Sequence, residues 1–328
     1  MIHILTERLA RVKHPFWYES TLGMEDAFAS QPGVELLPFN PWVARLNYFT
    51  TSHFQKVLPD PTLRVVPGDW YLFIVMSSYD LVHQRAALRR VAERGGRVCL
   101  YCFDTWEPQY KHWQGLFSHI PLVAVFLAYR QSYEHFSRIF DFCHFLPQSW
   151  DDRVFHARSL PKTRLFLQMG RRVESIHRMI MDYMRVRGIA DTPQNYIYRR
   201  MPDEVTFPTI ESTARAVAES RFMVCAPRSA DFPDFTGNVQ DVTARFYEAM
   251  ASKTLIIGYK PGPVFDELFP ADAMVELNPD GSDFSEKIDF YLNHPEEYTR
   301  IVERNYELVM REHTWVSRFR QFRAELPS

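Results

Sequence analysis

The residues best placed to do chemistry lie between positions 243 and 259. Arg245, Phe246, Tyr247, Glu248, Ala249, Met250 and Ala251 fill an amphipathic helical stretch, 243–252, and an apolar strand, 255–259, follows at once. A carboxylate on the first turns of a helix, fed by a Gly-Asn loop and backed by a buried strand, suits a nucleotide. The helix N-terminus presents backbone N–H groups and the positive end of its dipole to an anion. The loop Phe235-Thr236-Gly237-Asn238-Val239-Gln240 runs toward that terminus at Thr243, and Gly237 and Asn238 tolerate the left-handed backbone that close approach to phosphate requires. Arg171 and Arg172, which follow Gly170 just beyond a strand end, offer bidentate contacts to phosphate oxygens.

These groups need a frame, and the pattern of apolar runs supplies one. In the first half, apolar strands at 2–5, 34–38, 70–76, 97–103 and 122–127 alternate with helical stretches, the clearest being 81–94, which stops at Gly95 and Gly96. The second half repeats the alternation: strand 165–169, helix 174–187, strand 196–198, a helix capped by Ser212, strand 222–226, the 243–252 helix, strand 255–259, a short segment 265–269 and strand 274–277. Such alternation implies two α/β domains with parallel sheets, at 1–150 and 151–328, joined through residues 146–162 with Pro147 and Pro161. Ligands of such sheets sit outside the carboxyl ends of the strands, which for two facing domains means the cleft. A helix starts at Pro295 with Glu296 and Glu297 on its first turn, and a final helical piece covers 316–326.

Composition excludes several classes. A net charge of −2 gives no field for nucleic acid, and 46% hydrophobic residues suffice for two cores. Four cysteines do not make a disulfide framework and fit a reducing cytosol; Cys99 and Cys102 sit on one strand three residues apart, on opposite faces, which rejects zinc. The first residues lack a signal peptide's hydrophobic region, and no apolar run is long enough to span a bilayer, so a soluble cytoplasmic protein is expected, with at most peripheral membrane contact. No Gly-x-Gly-x-x-Gly follows a strand, no Walker loop is present, and no Asp-x-Asp pair occurs. The aromatics, including Phe16, Trp17, Tyr18, Trp42, Trp106 and Trp113, read as mostly core, with a sugar platform as the alternative for some of them.

The element order, the linker text Leu146-Pro147-Gln148-Ser149-Trp150-Asp151, the strand end Gln168-Met169-Gly170-Arg171-Arg172, the block at 245–257 and the ending Arg311-Glu312-His313-Thr314-Trp315 resemble GT-B glycosyltransferases. Within that superfamily the sequence is most similar to the group 1 branch with the spore-maturation-type enzymes. The likeness runs over 146–315. It implies a C-terminal domain that binds a nucleotide-sugar donor without a metal, an N-terminal domain that presents the hydroxyl of a glycan, glycolipid or other acceptor, and a last helix, about 315–328, packing back on the N-terminal domain. It gives Glu248 the ribose hydroxyls and makes Asp104, at the end of the 97–103 strand, the acceptor-side carboxylate, with His14 as rival base. An inverting enzyme would use that group to take the acceptor's proton, a retaining one to orient the sugar or stabilise charge at the anomeric carbon.

The text departs from the family pattern at three places. Gln240 stands where the first of two glutamates is usual, and Lys253-Thr254-Leu255 replaces Gly-Thr-Pro, leaving Lys253 either strained or facing ligand. Ile176 and His177 occupy the region of a family lysine, which leaves Arg228 or Arg245 to complete the diphosphate clamp. Taken alone, Glu248, Arg171 and Arg172 read as solvated residues and Asp104 as a turn or cap aspartate. The expected function is sugar transfer in a bacterial glycan or glycoconjugate pathway. Rearrangement or hydrolysis of a nucleotide-sugar, or binding without turnover, are the alternatives.

Overall fold

A computed structural model of the chain describes residues 1–9, 18–54, 58, 60–201 and 206–327, with the side chains of 51–54 left out. The chain forms two compact units. The first comprises Met1–Gln148, Asp234–Val239 and Trp315–Ser328; the second comprises Ser149–Pro233 and Gln240–Thr314.

In the first unit the strands are β1 (Ile2–Thr6), β2 (Val34–Pro38), β3 (Trp70–Val75), β4 (Arg97–Cys102), β5 (Leu122–Leu127) and β6 (Cys143–Phe145), with helices α1 (Glu19–Ala29), α2 (Pro41–Phe54), α3 (Ser78–Glu93), α4 (Tyr110–His119) and α5 (Arg130–Phe136) between them. The sheet is parallel, in the order β2-β1-β3-β4-β5-β6. β3 is buried at every position, because helices cover both faces and a parallel strand then has no solvent side to leave polar. The period of two sorts β4 into two layers. Val98, Leu100 and Cys102 join one apolar cluster, and Cys99 and Tyr101 the other. That alternation sends Cys99 and Cys102 to opposite faces, and burial pushes both thiols up.

The second unit repeats the plan with β7 (Arg164–Leu167), α6 (Glu174–Val186), β8 (Tyr196–Ile197), α7 (Ile210–Glu219) and β9 (Ser220–Cys225). A four-residue helix α8 (Pro233–Thr236) then carries the chain into the first unit. After the return come α9 (Ala244–Ala251), β10 (Leu255–Gly258), α10 (Pro263–Leu268), β11 (Met274–Glu276), α11 (Phe284–Asn293) and α12 (Pro295–Glu312). This sheet is also parallel, in the order β11-β10-β9-β7-β8. The cap of α7 is Thr209 rather than Ser212. Thr209 Oγ1 accepts from the Ser212 N–H at 3.1 Å while Ser212 Oγ accepts from the Thr209 N–H at 3.2 Å, so Ser212 is the reciprocal third residue of a capping box.

The last helix, α13 (Trp315–Glu325), belongs to the first unit. Trp315 meets Phe28, Tyr101 and Phe103 edge-on at centroid distances of 6.3, 5.9 and 6.0 Å, and Phe319 and Phe322 pack on Phe28, so the helix completes the layer that α1 begins. Of the aromatics read as core, Tyr18, Trp106 and Trp113 are buried. Trp42 is not, and Phe16 and Trp17 lie outside the described residues.

Candidate functional site

In the second sheet the chain runs outward from β7 to β8, returns, and continues outward on the other side through β9, β10 and β11. β7 and β9 are therefore the adjacent strands at which the direction of build reverses, the position where an open parallel sheet leaves a crevice at its carboxyl edge. Met169, Gly170 and Arg171 follow β7, and Ala226, Pro227 and Arg228 follow β9. α9, which leads into β10, brings Arg245 and Glu248 to the same place.

Arg245 and Glu248 are three apart and share one face of α9. The Arg245 guanidinium donates to the Met169 carbonyl and lies against Gly170. Gly170 has φ +76°, so the position favours glycine for its backbone, and a Cβ there would displace the Arg245 guanidinium. Glu248 is half-buried as a residue, yet its Oε2 is fully shielded and has no hydrogen-bond partner. Burial pushes this carboxyl up to about 7, with Arg245 opposing the rise. A shielded carboxylate oxygen without a donor costs free energy, and a ligand bringing hydroxyls would satisfy it. Beside them the Cys225 thiol points at the Arg245 carbonyl, 3.8 Å away, and is itself pushed up by burial.

The other predicted residues of this unit divide. Arg171 pairs with Asp231 at 3.0 Å, reaches the Arg228 carbonyl at 3.4 Å and lies over the Phe232 ring, which ties the turn after β7 to the 3-10 turn Arg228–Ala230 after β9. Arg172 instead donates to Glu174 at 2.5 Å and sits over Tyr198. Thr243 occupies the N-cap position of α9, with no side-chain capping bond. Lys253 has φ +52°, a left-handed residue ending the helix, and its ammonium pairs with Glu303 at 2.5 Å over the Tyr306 ring; this assigns it to α12 and not to a ligand. The structure thus gathers Gly170, Arg171, Arg228, Arg245 and Glu248 around the ends of β7 and β9.

Gly237 and Asn238 are placed elsewhere, in the first unit. The Asn238 N–H donates to Glu107 Oε2 at 2.6 Å and its carbonyl accepts from Gln131 at 2.8 Å, while Val239 is buried in the layer beneath. At Gly237, φ +62°, any Cβ would strike the Glu107 carboxylate. The loop expected to approach phosphate closely has its Asn238 N–H engaged by a carboxylate. Asp104, half-buried beyond β4, accepts from the Tyr129 hydroxyl at 3.0 Å; Gln148 donates to that hydroxyl at 3.4 Å, and Trp106 lies over the Tyr129 ring at 4.7 Å. His14 lies outside the described residues.

The first sheet reverses between β1 and β3, and the residue after β1 is Glu7. Gln84 donates to its Oε1 and the Tyr48 hydroxyl to its Oε2 at 2.9 Å, with Asp80 3.5 Å from the same hydroxyl. No motif in the sequence singles out Glu7. Its partners come from 41 and 77 residues away, which no local pattern discloses.

Residues 204–324 match the family described as glycosyl transferase-like. HepE from Anabaena, solved in complex with UDP, superposes with a TM-score of 0.58 at 9% identity, covering 99% of each chain. Sucrose-phosphate synthase from Thermosynechococcus elongatus gives 0.59 at 10% identity, over 98% of this chain and 97% of that one. TarM from S. aureus, in complex with fondaparinux, alpha-GlcNAc-glycerol and UDP, gives 0.55 at 10% identity, over 88% of this chain and 60% of that one. No protein of curated function matches in sequence. The chain has the GT-B fold.

For this GT-B chain the family match begins before α7 and takes in β9, α9, β10 and α12, so the arginines at 228 and 245 and Glu248 fall inside it. Gly170 and Arg171 fall outside and join them only through the fold. Among the described residues no group of three or more His, Cys, Asp or Glu side chains is placed to hold a metal ion. Nor is any described helix long and apolar enough to cross a membrane.

Proposed function

We propose that this protein moves a glycosyl group from a nucleoside-diphosphate sugar to the hydroxyl of a glycan or glycoconjugate, with no metal. One observation carries the reading: the shielded, unpartnered Glu248 Oε2 at the carboxyl ends of β7 and β9. Ribose hydroxyls supply the donors it lacks, with Arg245 beside it and Arg228, at the end of β9, for the diphosphate. In the transfer the bond between the anomeric carbon and the diphosphate oxygen breaks, and the acceptor oxygen bonds to that carbon. The acceptor proton leaves, and the negative charge gathering on the departing diphosphate is met by the arginines. The relatives solved with UDP support this choice of leaving group.

Asp104 is our acceptor-side carboxylate, held in one orientation by the Tyr129 hydroxyl. It serves an inverting transfer as base and a retaining one as a stabiliser of positive charge. Four buried free thiols suit a reducing, cytoplasmic setting. The test is a panel of nucleoside-diphosphate sugars with and without hydroxyl acceptors. Nucleoside diphosphate released only in the presence of an acceptor is the expected result; an isomerised donor, or release that ignores the acceptor, overturns it. Asp104→Asn should lower kcat by roughly 100-fold or more with little change in donor KM.

A further inference from the structure

Helix α4 is built against its own stability at two places, and both line one groove. Trp113, Leu116 and Phe117 form its buried face, while Lys111, His112, Gly115 and His119 line an open groove of about 440 Å³ against α3, which contributes Arg89. The first turn holds no acidic residue and carries Lys111, so an ammonium meets the positive end of the helix dipole. Gly115 sits in the helix interior without a positive φ, where alanine is the better helix former. Nothing lies within 4 Å of the place a Cβ would take there, so neither backbone nor packing calls for glycine. Its one evident effect is to keep the groove open.

The groove is uniformly basic. Among the described residues that line it there is no Asp or Glu, and neither Arg89 nor Lys111 has an ion pair; Arg85, on the same wall, has a partner of its own. Arg89 Nε donates to the His119 carbonyl at 2.8 Å, and the His119 Nδ1–H donates to the Gly115 carbonyl at 2.5 Å. These bonds hold the guanidinium by one nitrogen and leave its two terminal nitrogens for a bidentate oxyanion. Departures from local stability persist where a function requires them, and an anion held by Lys111 and Arg89 balances both charges. A guanidinium fork with an ammonium matches the several oxygens of a phosphate group, and the volume leaves space for what the phosphate is attached to. α4 ends at His119, just before β5 at the amino edge of the sheet, whereas Asp104 lies at the carboxyl edge beyond β4. We propose that the groove between α3 and α4 binds a soluble phosphate-bearing anion through Arg89 and Lys111, over Gly115. The site stands apart from the transfer reaction, because its occupancy is read without turnover.

The test is calorimetric titration of inorganic pyrophosphate into the full chain, with nucleoside diphosphate present in excess so that the Glu248 crevice does not contribute. The wild type should bind one equivalent, less tightly as salt is raised. Arg89→Ala with Lys111→Ala should weaken this binding by about tenfold or more and leave the affinity for nucleoside diphosphate unchanged. Gly115→Leu should weaken it as much while raising the thermal unfolding midpoint, because leucine fills the groove and is the better helix former. Absence of pyrophosphate binding overturns the proposal, as does undiminished binding by either variant. So does a Gly115→Leu variant with a lowered midpoint, which would give the glycine a structural role. Capture of the chain by phosphatidate vesicles with indifference to pyrophosphate overturns it too, since the groove would then belong to a lipid surface.

Discussion

Glu25 in the first unit and Glu248 in the second are both carboxyls that burial pushes up to about 7. Their surroundings differ. Glu25 Oε2 accepts from Thr6 Oγ1 at 2.7 Å and from Arg8 at 3.0 Å, and Arg8 is held in turn by Asp26 at 2.7 Å. Glu248 has Arg245 nearby, but its Oε2 has no donor. The crevices at the two sheet reversals show the same contrast, since both oxygens of Glu7 are taken by Gln84 and Tyr48. Topology provides the crevice in each unit, and the proposed donor site rests on the carboxylate oxygen at the second crevice that lacks a donor.

Exchanging the roles of these acids would break the contrast. Glu248→Ala removes two hydrogen bonds to a charged acceptor, each worth about 1.5–3 kcal/mol, and should weaken nucleoside-diphosphate binding roughly 100-fold in calorimetry while sparing stability. Glu25→Gln should do the reverse, costing roughly 1–2 kcal/mol of unfolding free energy with nucleotide affinity unchanged. Because the folded Glu25 carboxyl titrates near 7 and its ordinary value is 4.5, its contribution to stability is complete below about 4.5 and is lost as pH rises toward 7. Denaturant unfolding across that window should show a fall, of which the Gln variant keeps only the part that Glu248, raised in the same way, contributes. Gly170→Ala, strained at positive φ and crowding Arg245, should cost about 1–2 kcal/mol of stability and weaken the nucleotide about tenfold.

The two parallel sheets are legible in the sequence because strands covered on both faces are written as unbroken apolar runs, as in β3 and β10. α2 was not legible: Trp42, Leu46 and Phe49 have the helical spacing, but the face they form is turned to solvent, so Trp42 is one of the aromatics outside the core. In the site, Glu248 and the arginines could be named from local text. The engagement of Gly237 and Asn238 could not, since Glu107 and Gln131 reach them across more than a hundred residues. Lys253 departs from a glycine by adopting the left-handed backbone with its own side chain tied to Glu303.

The most direct test is calorimetric titration of a nucleoside diphosphate at about pH 7 in two buffers of different ionisation enthalpy. Hydroxyl donors favour the ionised carboxylate, so binding should release a fraction of a proton and tighten as pH rises through 7, by up to about tenfold per unit below it. Glu248→Gln should abolish both effects. Binding that releases no proton in the wild type, or releases as much in the variant, would contradict the assignment of Glu248 as the group the ligand completes.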